Sequence, residues 1–144
     1  METNLKLTGR LQIVLRDEHG NIKDEMEGPN IVVNGGKAWV TSRMNGTPAV
    51  MSHMAIGSSS TAESATQTAL LAETAIVALT STTVSTNQVT YVATFGAGVG
   101  TGTVAEAGIF NAASAGTMLA RSTAISLAKG ATDVLTVTWV ITVN

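Results

Sequence analysis

Leu5, Leu7, Leu11, Ile13 and Leu15 occupy odd positions near the start of the chain, and polar residues fill most of the even ones. A period of two puts alternate side chains on opposite faces of an extended backbone, so this run predicts a strand with one buried face. Asp17-Glu18-His19-Gly20-Asn21 follows with turn chemistry, because Gly and Asn tolerate positive φ. Ile22 to Met26 is expected to return as the partner strand, giving a charged, solvent-facing hairpin over residues 1–27. Gly28-Pro29-Asn30 should break it, and Ile31-Val32-Val33 reads as a short apolar strand.

Lys37 to Met44 has the spacing of two helical turns, with Asn34 or a neighbouring glycine as the cap and Trp39 against Arg43 four residues on. Asn45-Gly46-Thr47-Pro48 ends it. A strand at Met54-Ala55-Ile56 runs into a low-complexity stretch ending at Thr68, whose small polar side chains predict an exposed loop. Further strands are expected at roughly 73–80, at Val89-Tyr91-Ala93-Phe95, at 104–110 and at 117–125. Leu135, Val137, Trp139, Ile141 and Val143 repeat the strict period of two. Many short strands, turn signals between them and one small helix predict an all-β fold, an antiparallel β-sandwich or jelly roll. The length of 144 residues suits a single domain, with residues 1–27 as a charged hairpin and 28–144 as the sandwich body.

Composition sharpens this picture. Trp39, Trp139, Tyr91, Phe95 and Phe110 are the whole aromatic set, so Val, Ile, Leu, Ala and Met must build the core. Charged residues make up 12% of the chain, about half the usual share. A Thr-, Ser- and Ala-rich surface on a chain of positive mean hydropathy predicts that part of it is covered by copies of itself or by a partner. Charge is also unevenly placed. Residues 1–27 hold four bases and six acids, whereas residues 45–120 hold only Glu63, Glu73 and Glu106 and no Lys or Arg. A net charge of −2 without a basic patch argues against direct nucleic-acid binding, which needs clustered Lys and Arg to neutralise phosphates. The absence of cysteine excludes disulfides and thiolate metal sites. No signal-like leader and no apolar run of spanning length is found, so the expectation is a protein made in a cytoplasm and outside any membrane.

The candidate chemistry is thin. Gly96-Ala97-Gly98-Val99-Gly100-Thr101-Gly102 departs from a dinucleotide fingerprint at Thr101 and is followed by strand-like sequence, which predicts a hairpin tip that lets another backbone come close. His19 lies among Asp17, Glu18 and Asn21, but their spacing fits no calcium loop, and two histidines are too few for a usual zinc site. His53 beside a strand is expected at an edge or interface, and no Gly-x-Ser-x-Gly elbow supplies a nucleophile. Glu106 lacks the partner carboxylate or histidine that acid–base chemistry requires. It opens a hairpin that Arg121 closes, so it is expected to pair with Arg121 or with a neighbouring subunit, fixing register. No catalytic, cofactor or metal-ligating residue is expected. The structural pairing or interface candidates are Glu106, Arg121, Trp39 and His53.

Three segments together resemble small virion structural proteins of tailed bacteriophages: Gly28-Pro29-Asn30-Ile31-Val32-Val33-Asn34-Gly35-Gly36-Lys37-Ala38-Trp39; Met51-Ser52-His53-Met54-Ala55-Ile56-Gly57 with the Ser/Thr loop and Thr68-Ala69-Leu70; and Glu106-Ala107-Gly108-Ile109-Phe110-Asn111 with Gly116 to Arg121, Lys129-Gly130 and Thr136 to Trp139. Proteins of this look include capsid cement (decoration) proteins and tail-fibre or collar components. The resemblance implies a jelly-roll sandwich on the outer capsid surface, working as a dimer or trimer that bridges major capsid subunits. It implies no catalytic residues and no cofactor. A tail or neck piece is the alternative within that class. Outside it stands a host-glycan-binding module, in which Trp39, Tyr91 and Trp139 would stack on sugars.

Overall fold

The computed structural model describes residues 5–46 and 48–144; Thr47, in the stretch expected to end the helix, lies outside them. The described chain forms β1 (Leu7–Arg16), β2 (Ile22–Pro29), β3 (Ile31–Val32), helix α1 (Asn34–Arg43), β4 (His53–Gly57), β5 (Glu73–Ala78) and β6 (Ser81–Ser85). It continues with β7 (Gln88–Phe95), β8 (Gly102–Val104), β9 (Glu106–Phe110), β10 (Met118–Ser122), β11 (Leu127–Lys129) and β12 (Val134–Val143). Two five-stranded antiparallel sheets, ordered β2-β1-β12-β7-β6 and β3-β10-β9-β4-β5, pack face to face, and β11-β8 forms a separate ribbon. This is an all-β sandwich.

The period of two explains the interior. Leu11, Ile13 and Leu15 of β1, Val137 and Trp139 of β12, and Tyr91 and Phe95 of β7 point from the first sheet to Met54, Ile56, Ile109 and Leu119 of the second. β1 pairs with β12 from Leu7↔Val143 to Arg16↔Val134, so the N-terminal hairpin is part of the sandwich, and its charged side chains stay largely exposed. Trp139 is fully buried and its indole N–H donates to Asn30 Oδ1 at 2.7 Å.

The two sheets differ in what covers them. Along β12 the outward Thr136, Thr138 and Thr142 stay half-buried, facing solvent. Every residue of β9 and β10 is buried, because α1 and the 58–72 loop lie over the second sheet's outer face. Val33, Ala55, Leu70, Phe110 and Met118 fill the space beneath that cover. Gly36 lets α1 come this close: a Cβ there would run into the Leu119 carbonyl oxygen.

Several boundaries differ from the sequence reading. Leu5 lies before β1 and is 76% exposed. β2 does not break at Gly28 but runs to Pro29, which is tolerated because β2 is an edge strand. The helix starts at Asn34 and is capped by the Val33 backbone with no side-chain bond, so Asn34 is not its cap; its N–H donates to the Ala65 carbonyl instead. Trp39 and Arg43 both reach the segment after the helix, donating to the carbonyls of Ala49 (2.8 Å) and Pro48 (2.9 Å). The 73–80 strand ends at Ala78, and β6 follows as a separate strand after Leu79-Thr80. Ala105 separates β8 from β9, donating its N–H to the Gly57 carbonyl at 2.8 Å. The Gly96–Gly102 run is not a hairpin tip. It carries the chain from β7 in the first sheet to β8 in the ribbon, held by the Gly98 N–H on the Ala131 carbonyl and by Lys129 Nζ on the Gly96 carbonyl, both 2.8 Å.

Candidate functional site

Glu106 opens β9, and Arg121 sits in β10 opposite Gly108, so their side chains meet diagonally on the outer face of the second sheet. Arg121 Nε donates to Glu106 Oε1 at 3.0 Å; Nη2 stands 2.9 Å from the same oxygen without hydrogen-bond alignment, a purely Coulombic contact. Both side chains are wholly buried. A charge pair taken out of water must have its remaining lone pairs and protons satisfied.

The 58–72 loop does this for both carboxylate oxygens and for Arg121 Nη1, leaving Nη2 without a hydrogen bond. The Leu71 N–H donates to Oε1 at 3.0 Å, and the N–H groups of Ala72 and Ser59 donate to Oε2 at 2.8 and 3.2 Å. On the other partner, Nη1 donates to the Thr61 carbonyl (2.9 Å) and to Gln67 Oε1 (3.2 Å). Glu63 Oε2 accepts the Thr123 N–H at 3.0 Å, and the Ala65 carbonyl accepts the Asn34 N–H at 2.8 Å. The loop's side chains are largely exposed, yet its backbone is tied to β9, β10 and α1. It works as a strap. Gly57, opposite Glu106 on β4, makes room for it: a Cβ there would lie 2.5 Å from both Glu106 Oε2 and the Ala72 carbonyl oxygen.

With two donors on each carboxylate oxygen, Glu106 has its acceptor capacity taken up, and the arrangement orders chain segments; it is not set up to move a proton. Trp39 and His53 make no hydrogen bond to this pair. His53 Nδ1 lies 2.8 Å from Ser52 Oγ, its sequence neighbour, and the ring is half-buried at the start of β4. Trp39 is half-buried with its N–H on Ala49, while Tyr91 and Trp139 are in the core. The three rings invoked for sugar stacking therefore offer no common exposed platform. At the first turn, Asp17 Oδ1 accepts the N–H groups of His19 and Asn21, both at 2.9 Å, which holds its carboxyl below the ordinary 3.8, the Asn21 N–H contributing most. Among the described residues, no three or more His, Asp or Glu side chains cluster to hold a metal ion, and no helix is long and apolar enough to cross a membrane.

Sequence reasoning missed a second cluster. Asp133 Oδ2 accepts from Lys23 Nζ and from the Gly130 N–H, both at 2.7 Å, and Lys129 is buried beside it. The Lys23 bond, then the Gly130 bond, hold the Asp133 carboxyl below 3.8; burial pushes the Lys129 amine below 10.5, opposed by the Asp133 charge. Gly130 three residues before Asp133 is a turn signal that could have located the acid. Lys23, 110 residues away, carries no local signal. Comparison of the chain with protein-family models, with curated proteins and with solved structures finds no match.

Proposed function

We propose that this chain is a structural protein of a tailed-bacteriophage virion, and within that class a capsid cement protein. It would sit on the outer capsid surface as a symmetric oligomer and bridge major capsid subunits. The observation that carries this reading is a groove of about 700 Å³ at one end of the sandwich, bordered by Leu5, Leu7, Ile31, Val40, Met44 and Val143. Met44 is 86% exposed, and Leu5 and Val143 are also exposed, so large apolar side chains gather there outside any core. A patch of this kind marks a surface that another protein covers. Lys6 and Lys37 on its border favour a partner segment that brings carboxylates beside apolar side chains.

The placement of the resembling segments supports the same reading. They supply β3, α1, β4, β9 and β10, with Gly36 and Gly57 at the two close approaches and Glu106 and Arg121 under the strap. What the resemblance rests on is a scaffold, and the role it supports is mechanical, with no enzymatic step.

The test is to add purified protein to particles lacking it and image them by cryo-electron microscopy. Density at regular points over the shell is the expected result, lost in Met44→Glu while the melting temperature of that variant stays unchanged. Density confined to the portal vertex or tail would move the role to a neck or fibre component, and its absence everywhere would overturn the virion reading.

A further inference from the structure

The four sheet edges are not equally protected. β2 carries Lys23, Asp24, Glu25 and Glu27, ends in Pro29 and has a register shift against β1. β3 is two residues long. β5 begins with Glu73 and has a register shift against β4. Charges, proline, bulges and shortness are the devices that stop a strand edge from pairing with another chain. β6, Ser81-Thr82-Thr83-Val84-Ser85, has none of them: it is uncharged, each of its residues is exposed, and it pairs with β7 in unbroken register. Among the described residues, no strand pairs with its outer side.

The side chains of β6 add a second, independent observation. Thr82 and Val84 lie opposite Tyr91 and Val89, residues that face the core, so both point to the inner side of the first sheet. Val84 is nevertheless 72% exposed. It borders an apolar cleft of about 250 Å³ with Trp39, Val89, Tyr91 and Ile141. The first sheet thus projects one strand beyond its cover, leaving a core-facing strip bare.

We infer that β6 pairs antiparallel with β6 of a second copy across a two-fold axis, joining the first sheets of the two copies into one continuous ten-stranded sheet. The occupant follows from charge and shape. Residues 74–105 hold no charged side chain, so an identical edge meets β6 without an unmatched charge, whereas a charged partner strand would leave one. Pairing centred on Thr83 sets Thr82 of each copy beside Val84 of the other, so the two bare strips shield each other's flanks. A five-residue edge is smaller than a standard interface of about 800 Å² per partner, so a weak, concentration-dependent dimer is expected. This inference stands on the edge alone and does not depend on the capsid reading.

Analytical ultracentrifugation of the full chain across a concentration series tests it, beside Val84→Lys on β6 and Ile22→Lys on the charged β2 edge. The expected result is a mass rising toward twice 14.7 kDa with concentration. Val84→Lys should weaken dimerisation by roughly tenfold or more, through like charges brought together across the axis, and Ile22→Lys should leave it unchanged. Amide hydrogen exchange of the unmodified protein supplies a readout without mutation: protection of residues 81–85 should grow with concentration. A monomer at every concentration, a trimer or larger ring, or a dimer broken by Ile22→Lys and not by Val84→Lys would overturn the inference. So would protection of 81–85 that appears only on capsid particles, which would give the edge to the shell.

Discussion

Two groups of buried charge hold this molecule, and they differ in how much water reaches them. Glu106 and Arg121 are fully enclosed, with a carboxylate that answers three backbone N–H groups as well as a guanidinium. In the Lys23–Asp133–Lys129 group, the Lys23 side chain keeps 45% of its surface in solvent. The enclosed pair gathers a loop of exposed side chains and ties it to two strands and a helix. The rim group closes one turn and pins the β2 edge over it. Removing one partner of an enclosed pair strands the other charge away from water, while truncating half-exposed Lys23 uncovers the Asp133 carboxylate, now only 4% exposed, to solvent. The same chemistry should therefore have very different weights in the two places.

Glu106→Leu is expected to show the largest effect, a loss of about 3–5 kcal/mol in urea unfolding, with amide exchange across 58–72 rising more than elsewhere. Arg121→Met should cost less than Glu106→Leu, because the carboxylate loses its guanidinium but keeps three backbone donors, whereas a buried guanidinium without Glu106 keeps only the Thr61 and Gln67 acceptors. If both variants cost under about 1 kcal/mol, the enclosed pair has no more weight than a surface pair and the contrast fails.

Gly57→Ala probes the same centre without touching a charge. Its added methyl meets a backbone oxygen and the carboxylate, and a loss of about 1–3 kcal/mol is expected by thermal melting. A neutral result would mean that the strap gives way easily, which would weaken its description as tied down.

At the rim, Lys23→Ala should lower stability by roughly a tenth to a fifth of the Glu106→Leu loss. Its pH signature is more telling than its size. The lowered Asp133 pKa makes a stabilising contribution that is present above 3.8 and lost as the pH falls through the lowered value. Unfolding midpoints from neutral pH down to about pH 2 should fall less steeply in Lys23→Ala, since the largest cause of the lowering is gone. An unchanged acid limb would show that Asp133 is held by its turn alone. The smallest effect concerns Lys129, whose lowered pKa means that burying its charge weakens the fold below the lowered value and that this loss fades as the pH rises toward 10.5. Lys129→Met should accordingly flatten the alkaline limb of the stability profile, with a change within about 1 kcal/mol at neutral pH.

The contrast also explains what could be read from the chain. β1, β7 and β12 show their period of two plainly, because each buries one apolar face across the sandwich. β6, β8 and β11 have no such pattern; β8 and β11 are strands because each pairs with a segment far along the chain, and β6 because it folds back on neighbouring β7, with all five of its residues exposed. Glu106 and Arg121 stand out as an acid and a base in nearly uncharged sequence. The strap over them does not, since its bonds to Glu106 come from backbone N–H groups that any residue other than proline would supply. The rim cluster was hidden for another reason: Lys23 and Asp133 meet only when the first hairpin lies against the end of the chain.

That last pairing has a consequence for how the protein comes to be made. β12 is the last of the described strands to leave a ribosome, yet it occupies the middle of its sheet, between β1 and β7. Until it emerges, the hairpins on either side have no central strand, and the apolar faces of Leu11, Ile13, Tyr91 and Phe95 must wait without it. Formation of the first sheet thus waits until β12 has emerged, and a chain cut short before Val134 loses the keystone of that sheet, leaving two unjoined halves exposed to misassembly.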